Sequence, residues 1–175
     1  MLVKIIDNFI SKETCHELIK YHQLMFPRLG YAGAGHLAEF YANRCEVIHI
    51  VHIAEPLFKY MSAKLNYEIQ KVDPKLYLFH HQLTKWIENS SQSPHIDSWH
   101  NYASILYLND DLEGGETSFG KQKVEPREGR LIIFEGGKIK HGVSKVKKGL
   151  RYTLPAWYNY YSPNEQRPSS WWHTK

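Results

Sequence analysis

The apolar and polar positions change rhythm along this chain at about residue 70. Upstream the spacing is mostly helical. Val3-Lys4-Ile5-Ile6 opens with a short strand inside 3–10. Ser11 then offers an N-cap and Glu13 sits in the first turn, where the helix dipole favours an acid. Cys15, Leu18, Ile19 and His22 recur at helical intervals, which predicts an amphipathic helix over 12–25 ended by Pro27 and Gly30. The glycine-rich run Gly30 to Gly35, with Tyr31 in it, reads as a connector. A second helical stretch is expected over roughly 45–66, with Val47, Ile50, Val51, Ala54, Phe58, Met61 and Leu65 on one side and Pro56 kinking it or starting a new helix.

From about residue 76 short alternating runs are punctuated by turn signals. Strands are expected over 76–86, 94–99, 102–108, 116–119, 121–124, 130–134, 141–146 and 151–160. Turns fall at Asn109-Asp110-Asp111, Gly114-Gly115, Pro126 to Gly129, Gly136-Gly137 and Lys147-Lys148-Gly149. Many closely spaced short strands imply a sandwich or barrel. The expected fold is therefore α+β and mainly β, with N-terminal helices packed on one sheet. One domain is expected over 1–175: a helical part to about 70, a β-core over about 76–160 and a polar tail over 162–175 that carries Trp171-Trp172.

Composition agrees with a globular chain. Of 175 residues 42% are hydrophobic and 23% charged. The 5 Trp and 12 Tyr suit pleated, half-buried surfaces. A net charge of +4 gives nucleic acid no strong support as a partner. Cys15 and Cys45 are too few for a disulfide scaffold, so reduced thiols in the cytoplasm are expected. Lys4 and Asp7 interrupt the first apolar run before it reads as a signal peptide, and no stretch approaches the length of a membrane span, so no membrane partner is expected.

The candidate chemistry begins at His95-Ile96-Asp97. Residues i and i+2 of a strand share a face, so this imidazole and carboxylate would project together. His141, at the start of a later strand, supplies a third ligand. Two imidazoles and one carboxylate on one face of an octahedron form the facial triad that suits iron(II) and leaves positions open. An H-x-D tripeptide alone arises by chance, and this chain has 11 histidines. Context raises its weight. Arg151 lies ten residues after His141 in an apolar, aromatic run, with Thr153 on the same face. A guanidinium clamps a carboxylate through two hydrogen bonds, and antiparallel neighbouring strands would turn His141 and Arg151 the same way.

The stretch Tyr107-Leu108-Asn109-Asp110, then Gly114-Gly115-Glu116-Thr117-Ser118-Phe119, resembles the prolyl-4-hydroxylase-like group of 2-oxoglutarate/Fe(II)-dependent dioxygenases. The resemblance continues through Gly129 to Phe134, His141-Gly142-Val143, Gly149 to Tyr152 and Trp157-Tyr158, and begins at Ile6-Asp7-Asn8-Phe9-Ile10. It implies a double-stranded β-helix (jelly-roll) core. It also implies an enzyme that uses Fe(II), O2 and 2-oxoglutarate, with ascorbate as a reductant, to hydroxylate a substrate and release succinate and CO2. His95, Asp97 and His141 would be the metal ligands. Arg151 would hold the distal carboxylate of 2-oxoglutarate, with Tyr107 hydrogen-bonding beside it. Ile105 and Thr153 would line the same subsite, and Trp157 would line the pocket near His141. The family also carries a co-substrate tyrosine nine or ten residues before the first histidine, where this chain has Lys85 and Trp86.

By resemblance the substrate would be a peptidyl-proline, with a free amino acid or other small molecule as the alternative. Trp99, His100 and Tyr102, just after the H-x-D, are candidate substrate contacts. Nucleic-acid demethylases of related chemistry carry a second Arg six residues after the clamp, where this chain has Trp157. A non-catalytic jelly-roll binding module has no need for both the triad and the clamp.

Overall fold

The computed structural model describes residues 4–32, 45–51 and 53–160. Fifteen elements follow in chain order. They are β1 (Lys4–Ile6), α1 (Lys12–Leu29), β2 (Tyr31–Ala32), β3 (Cys45–His49), α2 (Pro56–Gln70), β4 (Tyr77–Trp86), β5 (Gln92–His95), β6 (Tyr102–Tyr107), β7 (Glu113–Gly114), β8 (Thr117–Phe119), β9 (Gln122–Val124), β10 (Leu131–Phe134), β11 (His141–Val143), β12 (Val146–Lys148) and β13 (Arg151–Asn159). The expected tail tryptophans Trp171-Trp172 lie outside the described residues.

The strands form a seven-stranded sheet in the order β1-β10-β6-β13-β4-β3-β2, a four-stranded sheet in the order β5-β11-β8-β9, and a small β12-β7 pair. The described pairings are antiparallel. The mainly β plan and the jelly-roll core expected from sequence are borne out. Helices α1 and α2 cover one face of the large sheet, and the four-stranded sheet covers the other.

Local chemistry accounts for the helices. Ser11 caps α1 by accepting from the Thr14 amide at 3.2 Å. The helix passes Pro27 and reaches Leu29, four residues beyond the expected end; Gly30 stops it, its amide donating to the Phe26 carbonyl at 2.9 Å. Pro56 begins α2 at its first turn, where the missing amide is no loss.

The expected helix over 45–66 is corrected. Residues 45–49 form strand β3, and α2 begins only at Pro56. Cys45 and Val47 pack between the sheets, whereas Ile48 and Ile50 pack toward the helices. A strand buried on both faces shows no polar alternation, so its apolar run fits either periodicity.

The sheet has two apolar fillings. Leu18, Phe58, Met61, Leu65 and Ile69 of the helices meet Leu83, Leu106, Leu154, Ala156 and Tyr158 of the large sheet. On the opposite face, Ala103, Tyr107, Phe119, Val124, Ile132 and Phe134 form one cluster between the sheets. Cys45, Val47, Trp86, Val143 and Val146 form another.

Candidate active site

A cavity of about 560 Å3, counted to its open mouth, lies between the two sheets, with residues of both inter-sheet clusters in its wall. His95, Asp97 and His141 line it together with Ile105, Thr117, Arg151, Thr153 and Trp157.

The register brings the two histidines together. His95 and His141 are direct partners in the β5–β11 pairing, and their ring centroids are 4.4 Å apart. Asp97 arrives differently from expectation. Strand β5 ends at His95, so Asp97 lies in the turn beyond it and is not placed by strand alternation. Its amide donates to the Gly136 carbonyl at 2.8 Å, which fixes that turn. A Cβ on Gly136 would come within 2.6 Å of Asp97 Oδ2, so the position needs glycine.

Asp97 Oδ1 then lies 3.6 Å from His95 Nε2, and Oδ2 lies 3.5 Å from His141 Nε2. One ligand atom from each of the three residues falls within 4.8 Å of the others. Both imidazoles are oriented from behind: His95 Nδ1 lies 3.0 Å from the Ser93 carbonyl and His141 Nδ1 2.9 Å from the Ile139 carbonyl. A carbonyl only accepts, so Nδ1 carries the proton and Nε2 presents its lone pair to the centre.

Electrostatics support the same function. Burial works to raise the Asp97 carboxyl, but the nearby His95 and His141 rings outweigh it and hold the group below its ordinary value. Burial lowers His141, with Asp97 partly opposing it. His95 is also pushed down by burial, yet the adjacent Asp97 carboxylate and the Ser93 carbonyl leave it raised. The donor set is two neutral-capable imidazoles and one ionised carboxylate in a concave site, which fits iron(II).

The clamp comes from the opposite sheet. His141 is on the four-stranded sheet and Arg151 on the seven-stranded one, so they face each other across the sandwich rather than as neighbouring strands. Arg151 is only 2% exposed. Its Nε donates to the Gly115 carbonyl at 2.8 Å and its Nη2 to Thr117 Oγ1 at 3.3 Å. The guanidinium packs on Trp86 and Tyr107, with ring centroids at 5.6 and 5.3 Å. Among the described residues no carboxylate pairs with it. A buried guanidinium without a counter-ion costs several kcal/mol, roughly, and a cavity that holds one fits an anionic ligand such as a 2-oxoglutarate carboxylate. Gly115, at φ +69°, would bring a Cβ within 3.0 Å of the Arg151 side chain, a physical reason for glycine in that motif.

The other expected residues divide. Ile105 and Thr153 line the cavity. Tyr107 is buried behind it. Its hydroxyl meets Thr117 Oγ1 at 2.5 Å and donates to the Val124 carbonyl at 3.3 Å, so Thr117 and not Tyr107 presents oxygen to the cavity. Sequence reasoning quoted Thr117 within a motif but missed this role; its alternation with Phe119 and its place after two positive-φ glycines were the available signal. Trp86, at the position of the family's tyrosine, lines the cavity, faces Arg151 in register and packs on its guanidinium. Gln82 and Thr84, also unforeseen, continue that wall along β4, with Gln82 Nε2 donating to Thr84 Oγ1 at 3.2 Å.

Trp157 does more than line the pocket: its indole N–H donates to Asp97 Oδ2 at 3.1 Å. Of the three candidate substrate residues, His100 packs on Phe79 and Trp157, at 5.6 and 5.9 Å. Trp99 is 60% exposed on the loop that carries Asp97. Tyr102 is corrected: it packs against the helix-side core on the far face of β6 and does not reach the cavity. The expected strand over 141–146 also breaks, into β11 and β12. Lys145 and Lys147 are exposed while His141, Val143 and Val146 are buried, so these lysines do not share the His141 face.

Known proteins match this region. The family model for the 2OG-Fe(II) oxygenase superfamily matches residues 79–159. A 75-residue stretch is 36% identical to Homo sapiens prolyl 3-hydroxylase 2, covering 38% of this chain and 11% of that protein. A 92-residue stretch is 35% identical to Homo sapiens prolyl 3-hydroxylase 3, covering 48% of this chain and 12% of that one. The match thus spans about a tenth of the length of these curated relatives. Among solved structures, a Pseudomonas putida prolyl-4-hydroxylase superposes with TM-score 0.77 at 15% identity, covering 91% of this chain and 93% of that one. HygX from Streptomyces hygroscopicus, solved with nickel and 2-oxoglutarate bound, superposes with TM-score 0.69 at 13% identity, covering 90% and 82%. The last two establish the jelly-roll fold, and the family match falls on the strands that carry the triad and the clamp. Through residues 79–159 the chain is similar to the 2OG-Fe(II) oxygenase superfamily.

Proposed function

We propose that this chain is a 2-oxoglutarate-dependent dioxygenase that hydroxylates a peptidyl-proline, and that residues 1–175 act as one oxygenase domain. The observation that carries the reading is one cavity with a His-Asp-His triad on one side and, on the opposite sheet, a buried Arg151 that no carboxylate among the described residues pairs with. His95, Asp97 and His141 would hold Fe(II). Arg151, with Thr117 beside it, would hold the far carboxylate of 2-oxoglutarate. Iron held there would supply the oxidising chemistry, coupling O2 to the conversion of 2-oxoglutarate to succinate and CO2.

The chain's own residues bind, orient and exclude water. The carbonyls of Ser93 and Ile139 keep both imidazoles in the metal-ready tautomer. Phe134 and Phe119 pack at centroid distances of 4.6 and 6.3 Å from the His141 ring, which makes that side of the site apolar. The peptide reading is supported by the prolyl 3-hydroxylases among the relatives and by a Trichoplax adhaerens prolyl hydroxylase, solved with a hypoxia-inducible-factor peptide fragment, that superposes with TM-score 0.70. Ile96 and Trp99, 46% and 60% exposed beside Asp97, offer apolar surface for such a segment. Among the described residues no helix is long and apolar enough to cross a membrane. With only two cysteines, Cys15 and Cys45, the composition fits a reducing, cytoplasmic setting.

The test is succinate release from 2-oxoglutarate by protein loaded with iron under anaerobic conditions and then exposed to air, with proline-containing peptides, free proline and other amino acids as separate substrates. Peptide-stimulated succinate, with mass gain of one oxygen on the peptide and neither in His95→Ala, is expected. Stimulation by free amino acids alone overturns the peptide reading; no succinate under any condition overturns the oxygenase reading.

A further inference from the structure

On the inner face of the large sheet a line of side-chain contacts ends on the triad carboxylate. Trp157 Nε1–H donates to Asp97 Oδ2 at 3.1 Å. His80 stands opposite Trp157 in the β4–β13 register and stacks on the indole, with centroids 5.6 Å apart and planes 28° apart. His80 Nε2 and His49 Nδ1 share a hydrogen bond of 2.8 Å.

The backbone is shaped for this stack. Trp157 pairs with His80 but Tyr158 pairs with Leu78, so Phe79 is an extra residue in β4. Such a bulge re-aims the side chains beside it. Here both rings at the bulge serve the same corner, because Phe79 packs on His100, which itself approaches the Trp157 indole.

An indole N–H is a donor whose direction is fixed by the ring plane; unlike a hydroxyl it has no rotor of its own. Whatever fixes that plane therefore fixes the carboxylate oxygen that the N–H holds. With Oδ2 engaged, Oδ1 is the oxygen left for a metal ion. A carboxylate held in this way takes one coordination position instead of two. We propose that Trp157 is a positioning residue for the metal centre, tethering Asp97 so that it binds through one oxygen, and that His80, held by His49, sets the indole plane for that task. The inference rests on the reading of His95, Asp97 and His141 as a metal site. It gives Trp157 a second role there and adds His80 and His49, all three on strands that carry none of the metal ligands.

The test uses the full chain and Mn(II) as a redox-stable probe, with the dissociation constant read by titration calorimetry and the melting temperature read in parallel. Trp157→Phe keeps the ring and removes the donor; it is expected to weaken Mn(II) binding about 10-fold, the lower end of what losing an outer partner of a ligand costs. His80→Ala is expected to weaken binding by a smaller factor. His80→Phe, which retains a stacking ring, is expected to return to within about two-fold of the wild type, a rescue that general destabilisation would not produce. An unchanged dissociation constant in Trp157→Phe overturns the tether. Equal losses in His80→Ala and His80→Phe overturn the role of the stack, and that pair decides the question even if Trp157→Phe folds poorly. Mn(II) binding is read without turnover: a wild type that binds Mn(II) with these variant effects yet releases no succinate refutes the oxygenase reading and upholds this one.

Discussion

The two faces of the seven-stranded sheet are built from the same strands and do opposite things. Along β13, Tyr152, Leu154, Ala156 and Tyr158 point to the helices, whereas Arg151, Thr153, Pro155 and Trp157 point to the cavity. Along β4, His81 and Leu83 are buried and Leu83 joins the helix-side core, while Gln82, Thr84 and Trp86 line the cavity. On the helix side Tyr158 Oη meets Ser104 Oγ at 2.7 Å and His81 Nε2 meets Ser62 Oγ at 2.9 Å, while His81 Nδ1 is buried with no hydrogen-bond partner among the described residues. The cavity face instead keeps a guanidinium that no described carboxylate neutralises. A strand's two-residue period thus separates stability from chemistry, and apolar burial on one face offsets the polar burden of the other.

That division can be broken by substitution. The largest effect on ligand binding is expected at Arg151→Met. Removing the buried charge that would bind a 2-oxoglutarate carboxylate should raise the KM for 2-oxoglutarate by roughly 30-fold or more, the equivalent of about 2 kcal/mol upward. The melting temperature should hold or rise, because a desolvated charge is gone. Steady-state kinetics and thermal melts together check this; a lower melting point with unchanged KM would show that Arg151 serves the fold and not the ligand. Next is Leu154→Ala, one strand position away from Thr153 and Pro155 but on the helix face. It should cost about 2–5 kcal/mol in urea unfolding and leave the KM within about two-fold. A KM change of the size expected for Arg151→Met would erase the distinction between the faces.

The third effect is a pH dependence. His80 and His81 are chain neighbours on opposite faces, and burial pushes each down to about 4, with His49 adding to the shift of His80. An unfolded chain protonates these rings near the ordinary value of 6.5, so between 6.5 and about 4 it binds more protons than the folded one. Their contribution to stability is therefore complete above pH 6.5 and is lost as the pH falls toward 4. His81→Leu should flatten its share of that fall, at most about 3 kcal/mol, in urea titrations at neutral and acid pH. His80→Phe, on the cavity face, should reduce the slope further. Identical slopes in wild type and His81→Leu would show that His81 is not held neutral.

Much of this was legible because each element's periodicity is local. The strands over 102–107, 131–134 and 151–159 follow from alternation and turn residues that need no partner to be recognised. The triad types and Arg151 stood out because H-x-D, the late His and a guanidinium in an apolar strand are uncommon together. Residues 45–49 were misread because both faces of β3 are covered, which removes the polar half of the pattern. Tyr102 was misplaced because closeness in sequence to the triad was taken as closeness in space, whereas strand parity turns it to the other face.

The sequence alone determined which residues share a face within one element and which side-chain chemistries exist to be assembled: two imidazoles, a carboxylate and a buried-strand guanidinium. The tertiary structure decided how they meet. His95 and His141 converge through the β5–β11 register, and Asp97 through a turn pinned at Gly136. Arg151 faces them from the opposite sheet, and His80 reaches Trp157 through a bulge in β4. Periodicity is a property of a single backbone segment. Register, bulges and sheet packing are set by hydrogen bonds and apolar contacts between segments far apart in the chain, and those contacts place the ligand atoms within reach of one ion.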